Sequence, residues 1–275
     1  MKIVSWFSAG ITSTIATMLA LKKYGHKNVD IIFFETGAHH KDNKRFIREC
    51  EEILFKKKIE IERNEKYKDL YDVLSRGFIN SPGGAYCTHQ LKKEVRKKLQ
   101  KTRIWDNQIF GFEFERKEIN RAIKFKEQNP ETKPLFPLIE FKLNKKACIT
   151  ILESYGVRVP RMYELGYHNN NCIGCVKGGI GYWNKIRRDF PYRFKKMAEI
   201  EREVGATCLK EGGEEGSERL YLDTLDPDRG RELEPITGEC GVVCATEFME
   251  FMDDRVELIL KGQLSFDDLG SEALG

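Results

Sequence analysis

Long apolar runs are missing from this 275-residue chain: none approaches the roughly 20 residues that a helix needs to cross a bilayer, which argues against a helical membrane protein. The opening residues, Met1 to Phe7, are too short for the apolar stretch of a signal peptide and carry no cleavage site, so the cytoplasm is the expected compartment. A strong charge of one sign is missing as well. With 47 Lys and Arg against 43 Asp and Glu, the net charge of +4 is too small to argue by itself for nucleic acid. No segment repeats another.

What is present suits a globular protein. Apolar residues make up 40% of the chain, enough for a core, and the 33% of charged residues point to a soluble surface rather than to disorder. The length fits one large domain, or one domain with an elaborate tail. In a reducing compartment the eight cysteines are expected as thiols, metal ligands or catalysts rather than as structural disulfides.

The hydrophobic pattern alternates between strand and helix. Lys2 to Phe7 reads as a buried strand, Thr12 to Tyr24 as a helix and Val29 to Phe34 as a second buried strand. Asp42 to Lys56 reads as an amphipathic helix and Ile59 to Ile61 as a third strand. This order predicts a parallel sheet with helices on both faces. Further on, a basic helix is expected over Gln90 to Gln100, a strand over Ile104 to Phe110, and helices over Arg116 to Glu127 and Lys145 to Tyr155. Tyr182 to Phe194 is a basic aromatic stretch that leads into a helix ending near Val204. Residues 206 to 240 read as an extended, strand-poor excursion, and Glu247 to Leu260 as a last helix.

The first turn is the leading candidate site. Ser8, Ala9, Gly10, Thr12, Ser13 and Thr14 are all small, which lets a phosphate approach the backbone. The free N–H groups of the following helix's first turn, and its dipole, favour an anion there. The cysteines are the second candidate. Cys172-Ile173-Gly174-Cys175 lies in a Gly- and Asn-rich loop, where two thiolates at this spacing can reach one metal. Cys240 and Cys244 could supply a second pair, and Cys87 is a fifth candidate; the spacing does not choose between zinc, an iron–sulfur cluster of the [4Fe-4S] kind, a redox dithiol and free thiols. Cys50 and Cys148 sit on amphipathic helices and are expected in packing. Tyr182, Trp183 and Phe190 fit packing better than nucleotide stacking. His39 and His40 stand where they could touch a ligand.

Several of these segments together resemble the phosphoadenosine phosphosulfate (PAPS) reductase family, within the larger group of ATP pyrophosphatase-like, adenine-nucleotide α-hydrolase (HUP) proteins. Ser8-Ala9-Gly10-Ile11-Thr12-Ser13 is similar to the family's modified phosphate loop. Ile11 and Thr12 stand where the ATP-cleaving members have a Lys and an Asp, which leans away from ATP cleavage. Glu35-Thr36-Gly37 resembles an Asp-Thr-Gly turn, and Cys87-Thr88-His89-Gln90-Leu91-Lys92 resembles a Cys-Thr-x-x-Leu-Lys segment. Gly111-Phe112-Glu113, with Glu118 and Arg121, resembles the Gly-x-Arg…Glu-Ser…Arg-Ala stretch, with Glu113 in place of the Arg. Phe136 to Ile139 resembles the Pro-Leu turn.

The resemblance implies an α/β fold, with a doubly wound, mostly parallel sheet and the nucleotide over the carboxyl ends of its strands. It implies a nucleotide-binding domain over residues 1–205 and a C-terminal extension over 206–275 that carries Cys240, Cys244 and the terminal helix. Thr36, Gly37, Lys92, Gly111 and Arg121 would join Ser8, Ala9, Gly10, Thr12 and Ser13 around an adenine nucleotide, whether PAPS, adenylyl sulfate (APS) or ATP, with Lys93 also beside the phosphates. Glu239-Cys240-Gly241 resembles the segment that carries the family's nucleophile, although Val243 stands at its His. That implies attack of Cys240 on the sulfonate sulfur, with thioredoxin or glutaredoxin releasing sulfite. Two other readings stay open: an ATP-dependent sulfur or group transferase acting on nucleic acid with a cysteine-bound cluster, and a non-catalytic nucleotide-binding module.

Overall fold

The computed structural model describes residues 1–81, 84–213, 216–231 and 255–265. Its centre is a five-stranded sheet: β1 (Ile3–Phe7), β2 (Val29–Phe34), β3 (Glu60–Glu62), β4 (Asn107–Ile109) and β5 (Pro134–Leu135). The strands lie in the order β3-β2-β1-β4-β5, and every pairing is parallel. The expected parallel α/β sheet is therefore present.

Strand alternation explains the layers. Ile3 and Phe7 of β1, with Val29, Ile31 and Phe33 of β2, pack into a core on one face, against helix α1 (Ile11–Tyr24) and the helix Lys145–Ser154. Val4 and Trp6, with Ile32 and Phe34, pack on the other face, against the helix Arg116–Gln128. Successive side chains of a strand point to opposite faces, so a strand buried on both reads as a continuous apolar run. Polar groups within β1 are matched: Ser5 Oγ bonds Thr17 Oγ1 at 2.7 Å, and Trp6 Nε1 donates to Gln108 Oε1 at 2.7 Å. Cys50 and Cys148 are fully buried in the α1 core, as expected of packing residues. Among the described residues no helix is long and apolar enough to cross a membrane.

Several boundaries differ from the sequence expectation. The strand expected over Ile104 to Phe110 is only Asn107–Ile109. Only Asn107 to Ile109 run in register with Ile3 to Ser5, and Ile104 faces solvent at 88% exposure. The third strand is Glu60–Glu62, paired with Ile32 to Phe34. The helix expected over Asp42 to Lys56 is α-helical over Asn43–Glu49 and continues with π-type bonding over Cys50–Phe55. The Pro-Leu segment, Phe136 to Ile139, enters one helical turn, Pro137–Glu140, just after the short strand Pro134–Leu135.

The strand-poor reading of residues 206 to 240 is corrected by an antiparallel hairpin, Leu209–Gly213 with Gly216–Leu220. A buried carboxylate holds it: Glu201 accepts from Cys208 N at 2.6 Å and Leu222 N at 2.7 Å. Tyr182 to Phe194 begins within a helix, Ile180–Asp189, whose Trp183 is fully buried, so its aromatics are packing residues. The start of the expected Glu247 to Leu260 helix lies outside the described residues; its end is the helix Arg255–Leu260.

Strand order reverses between β1 and β4, which opens a crevice at the carboxyl ends of the strands. Gly111, just past β4, closes one side of it. A Cβ at Gly111 would stand 2.8 Å from both Cα and N of Ser13. Gly111→Ala is expected to push the first turn of α1 out of place, at a cost of about 1–3 kcal/mol. A drop in the urea midpoint with an unchanged slope would check this; wild-type stability would contradict it.

Candidate nucleotide and thiol site

The loop after β1 is built from its own hydroxyls. Ser8 Oγ and Ser13 Oγ are 2.8 Å apart, and Ser13 Oγ also donates to Gly10 O at 3.0 Å. Gly10 caps α1 in an extended conformation with no side-chain cap, and Thr14 N closes the first helical bond onto Gly10 O at 3.0 Å. Ala9 sits at φ 57°, in the left-handed region. A residue with a Cβ there costs about 1–2 kcal/mol, and such strain persists where the surroundings fix it. Here Asn170 Nδ2 fixes it by donating to Ala9 O at 2.7 Å, and it also donates to Asn43 Oδ1 at 2.9 Å.

The turn after β2 forms the second wall. Gly37 has φ +69°, and a Cβ on it would lie 2.6 Å from Asp69 Cβ, so this position admits only glycine without displacement. Leu70 N donates to Thr36 O at 3.0 Å and ties the helix Leu70–Ser75 to the turn.

The cysteine loop is laid across both walls. Ile173 N donates to Ala38 O at 2.9 Å, and Tyr71 Oη donates to Ile173 O at 2.9 Å. Tyr182 Oη accepts from Gly174 N at 3.1 Å and Cys175 N at 2.9 Å, and donates to Cys172 O at 3.3 Å. One phenol thus braces the whole Cys172 to Cys175 turn from inside the core.

Together these segments border a narrow cleft lined by Ser8, Gly10, His39, Lys92, Asn170, Asn171 and Cys172. Buried polar atoms are as a rule paired. Asn170 Oδ1 on this wall, and Thr12 Oγ1 and Asn43 Nδ2, have no hydrogen-bond partner among the described residues.

The charges at the cleft are coupled. His39 Nδ1 lies 3.1 Å from Glu35 Oε1 and 3.4 Å from Thr36 Oγ1, and Thr36 Oγ1 lies 3.0 Å from Cys172 Sγ. Burial alone would lower the His39 pKa. The charge and hydrogen bond of Cys172, and then the Glu35 carboxylate, outweigh it and lift the pKa from 6.5 to about 9. Glu35 is the reverse case: burial would raise it, but His39 and the Gly37 and Thr36 amides bring it down to about 2.

Of the residues expected from sequence, Ser8, Gly10, Lys92 and Cys172 meet on the cleft wall. Ala9, Ser13, Thr36, Gly37 and Gly111 shape that wall from behind. Arg121 is buried and is not among the lining residues: its guanidinium pairs with Glu118 at 2.8 Å and stacks over Phe112 at 4.3 Å. Cys175 is buried in the braced turn. Cys208, which the sequence does not place, has its thiol pKa raised by burial and then by Glu201, with Cys175 and Cys87 also near enough to contribute. No group of three or more His, Cys, Asp or Glu among the described residues could hold a metal ion. Cys240 and Cys244, the expected nucleophile and ligands, lie outside the described residues. The Asn170 clamp was missed by sequence reading, although Asn169-Asn170-Asn171 beside the CxxC was its signal.

The His39 shift fixes a direction for stability. A group whose pKa rises on folding stabilises fully below its unfolded value and loses that contribution as pH climbs through the folded value. For His39 the window runs from 6.5 to about 9. Wild-type urea midpoints are expected to fall across this window, and His39→Gln to flatten that fall. An equal slope in the variant would contradict the assignment.

The sequence pattern of the phosphoadenosine phosphosulfate reductase domain matches residues 2–178, which covers β1 to β5 and the cysteine turn. The chain is also similar to the uncharacterized protein MJ0066 of Methanocaldococcus jannaschii, 26% identical over 220 residues, or 75% of this chain. This chain spans only 44% of that relative's length. That match covers more than half of the chain and includes the whole parallel sheet, so the chain belongs to the phosphoadenosine phosphosulfate reductase domain family.

Proposed function

We propose that this protein binds an adenylyl sulfonucleotide with its phosphates over Ser8 to Ser13 and reduces the sulfonate with its own thiols. One observation carries this reading: Cys172 opens onto the same small cleft as Ser8, Gly10 and Lys92, so a thiol stands beside the phosphate loop. A ligand with two or more phosphate or sulfate groups needs cations and N–H donors together. Lys92 supplies the first and the α1 N-terminus the second. Ile11 and Thr12 supply neither the Lys nor the Asp of an ATP-cleaving loop, which favours a substrate whose reacting bond lies elsewhere. Thioredoxin or glutaredoxin is the expected class of electron donor.

Incubation of the full chain with PAPS or APS and reduced thioredoxin should release sulfite. Lys92→Ala should weaken nucleotide binding about tenfold to a hundredfold, the range for losing a charge-assisted contact. Nucleotide bound without any sulfite, from protein shown to be folded and reduced, would leave a binding module and overturn the reductase reading.

A further inference from the structure

Ala9, at φ 57°, holds a backbone conformation that its Cβ disfavours, and its carbonyl is gripped from a distant part of the chain. Asn170 Nδ2 donates to Ala9 O at 2.7 Å and to Asn43 Oδ1 at 2.9 Å, and all three residues are buried. A carbonyl oxygen only accepts, so the group that faces Ala9 O is the Asn170 amide nitrogen, and this side chain has one orientation. The C=O and N–H of a trans peptide point in opposite directions. With Ala9 O held on the Asn170 side, the Gly10 N–H points the other way, towards Ser8 Oγ at 3.4 Å. That separation is long for a hydrogen bond, so this N–H is only weakly engaged within the loop. Ser8 and Gly10 both line the cleft. Relaxation of Ala9 to negative φ would rotate the peptide between Ala9 and Gly10 and carry its N–H away from Ser8. The clamp is anchored independently of the loop that it holds. Asn169 Oδ1 accepts from Lys145 Nζ at 2.9 Å, and Ile173 N donates to Ala38 O at 2.9 Å.

We propose that Asn170 is the positioning residue of the phosphate loop. It acts through Ala9, keeping that residue left-handed and the Gly10 N–H presented to an anion, so the loop binds phosphate in full only while segment 169–173 is docked. The proposal rests on the reading of this cleft as a nucleotide site. Successive N–H groups in a turn with a left-handed residue form an anion-binding concavity. Such a turn usually has glycine at the left-handed position. Here alanine stands there, and a side chain 161 residues away supplies the bias that a glycine would make unnecessary. The role of Asn170 is therefore conditional on the residue at position 9, and a direct contact between Asn170 and the ligand would have no such condition.

A double-mutant cycle tests this condition. The probe is ADP, which carries two phosphates and no sulfonate to react, titrated calorimetrically into the full chain. Asn170→Ala should weaken ADP binding about fivefold to thirtyfold, the scale of an alanine's aversion to the left-handed region. Asn170→Leu, which keeps a side chain of similar size without its donors, should do the same and serves as a second variant should the alanine chain not fold. Urea midpoints establish that each chain is folded. Ala9→Gly is the reference for the second half of the cycle, whatever its own affinity. Adding Asn170→Ala to Ala9→Gly should weaken binding less than about twofold, because glycine adopts this conformation without the clamp. An equal loss with alanine or glycine at position 9 would mean a direct ligand contact or a general structural role for Asn170, and would overturn the inference. Wild-type affinity in both Asn170 variants would overturn it as well. So would a wild-type chain that binds no ADP; sulfite released from PAPS by that same chain would leave the reductase reading standing, and no sulfite would overturn both.

Discussion

The site depends on the position of β1 in the middle of an all-parallel sheet. Parallel strands need crossover connections, so every strand delivers its carboxyl end to the same edge. With β2 on one side of β1 and β4 on the other, the chain leaves β1 towards β3 and returns to the opposite flank. The loops after β1 and β2 and the Gly111 segment after β4 are thereby brought to one crevice without any of them needing to be long. The apolar run of β1 reflects burial on both faces, so the same residues that fix the centre of the core also fix the place of the loop that follows it.

That edge alone is an open crevice; the segment 169–175 makes it a cleft. It is attached at three points of different character: Asn170 to the carbonyl of Ala9, the Ile173 amide to Ala38, and the Cys172 thiol beside Thr36. The first contact holds a loop that carries an alanine in the left-handed region. The last two put a cysteine against the second turn. A single hydrogen bond contributes only about 0.5–1.5 kcal/mol net, so no one of them fixes the segment. Tyr71 and Tyr182, both buried and both bonded to its backbone, add the packing that does.

Much of this was legible in the sequence because it rests on local pattern. The apolar runs of β1 and β2 follow from strand burial, and the turn that separates β1 from α1 lies where its small residues put it; the turn at Gly37 was legible only through the family resemblance. The short strands β4 and β5 were poorly legible. Three or two residues give no periodicity, and Pro134 reads as a turn until its partner Gln108 is known. The hairpin at Leu209–Leu220 was hidden because its anchor, Glu201, is a charged residue whose burial is invisible until the two amides that it accepts are in place. The clamp by Asn170 was hidden for a related reason: an Asn in a Gly-rich loop reads as solvated, and only contact at a separation of 161 residues gives it a role.

Glu35 shows how a departure from the family's pattern acquires meaning from geometry. At the Asp-Thr-Gly turn the chain has the longer acid. Its extra methylene lets one carboxylate oxygen accept the Gly37 amide at 2.8 Å and also meet His39 Nδ1 at 3.1 Å. The turn is thus closed by the same group that orients the imidazole. The imidazole is deeply buried, and a buried cation is tolerated only when paired. Its partner is the Glu35 carboxylate at 3.1 Å, and the Cys172 thiol adds to the upward pull on its pKa. Anionic ligands entering the cleft meet this imidazole and Lys92 on its walls. Two cationic side chains thus face one cleft, the imidazole fixed there by the carboxylate behind it.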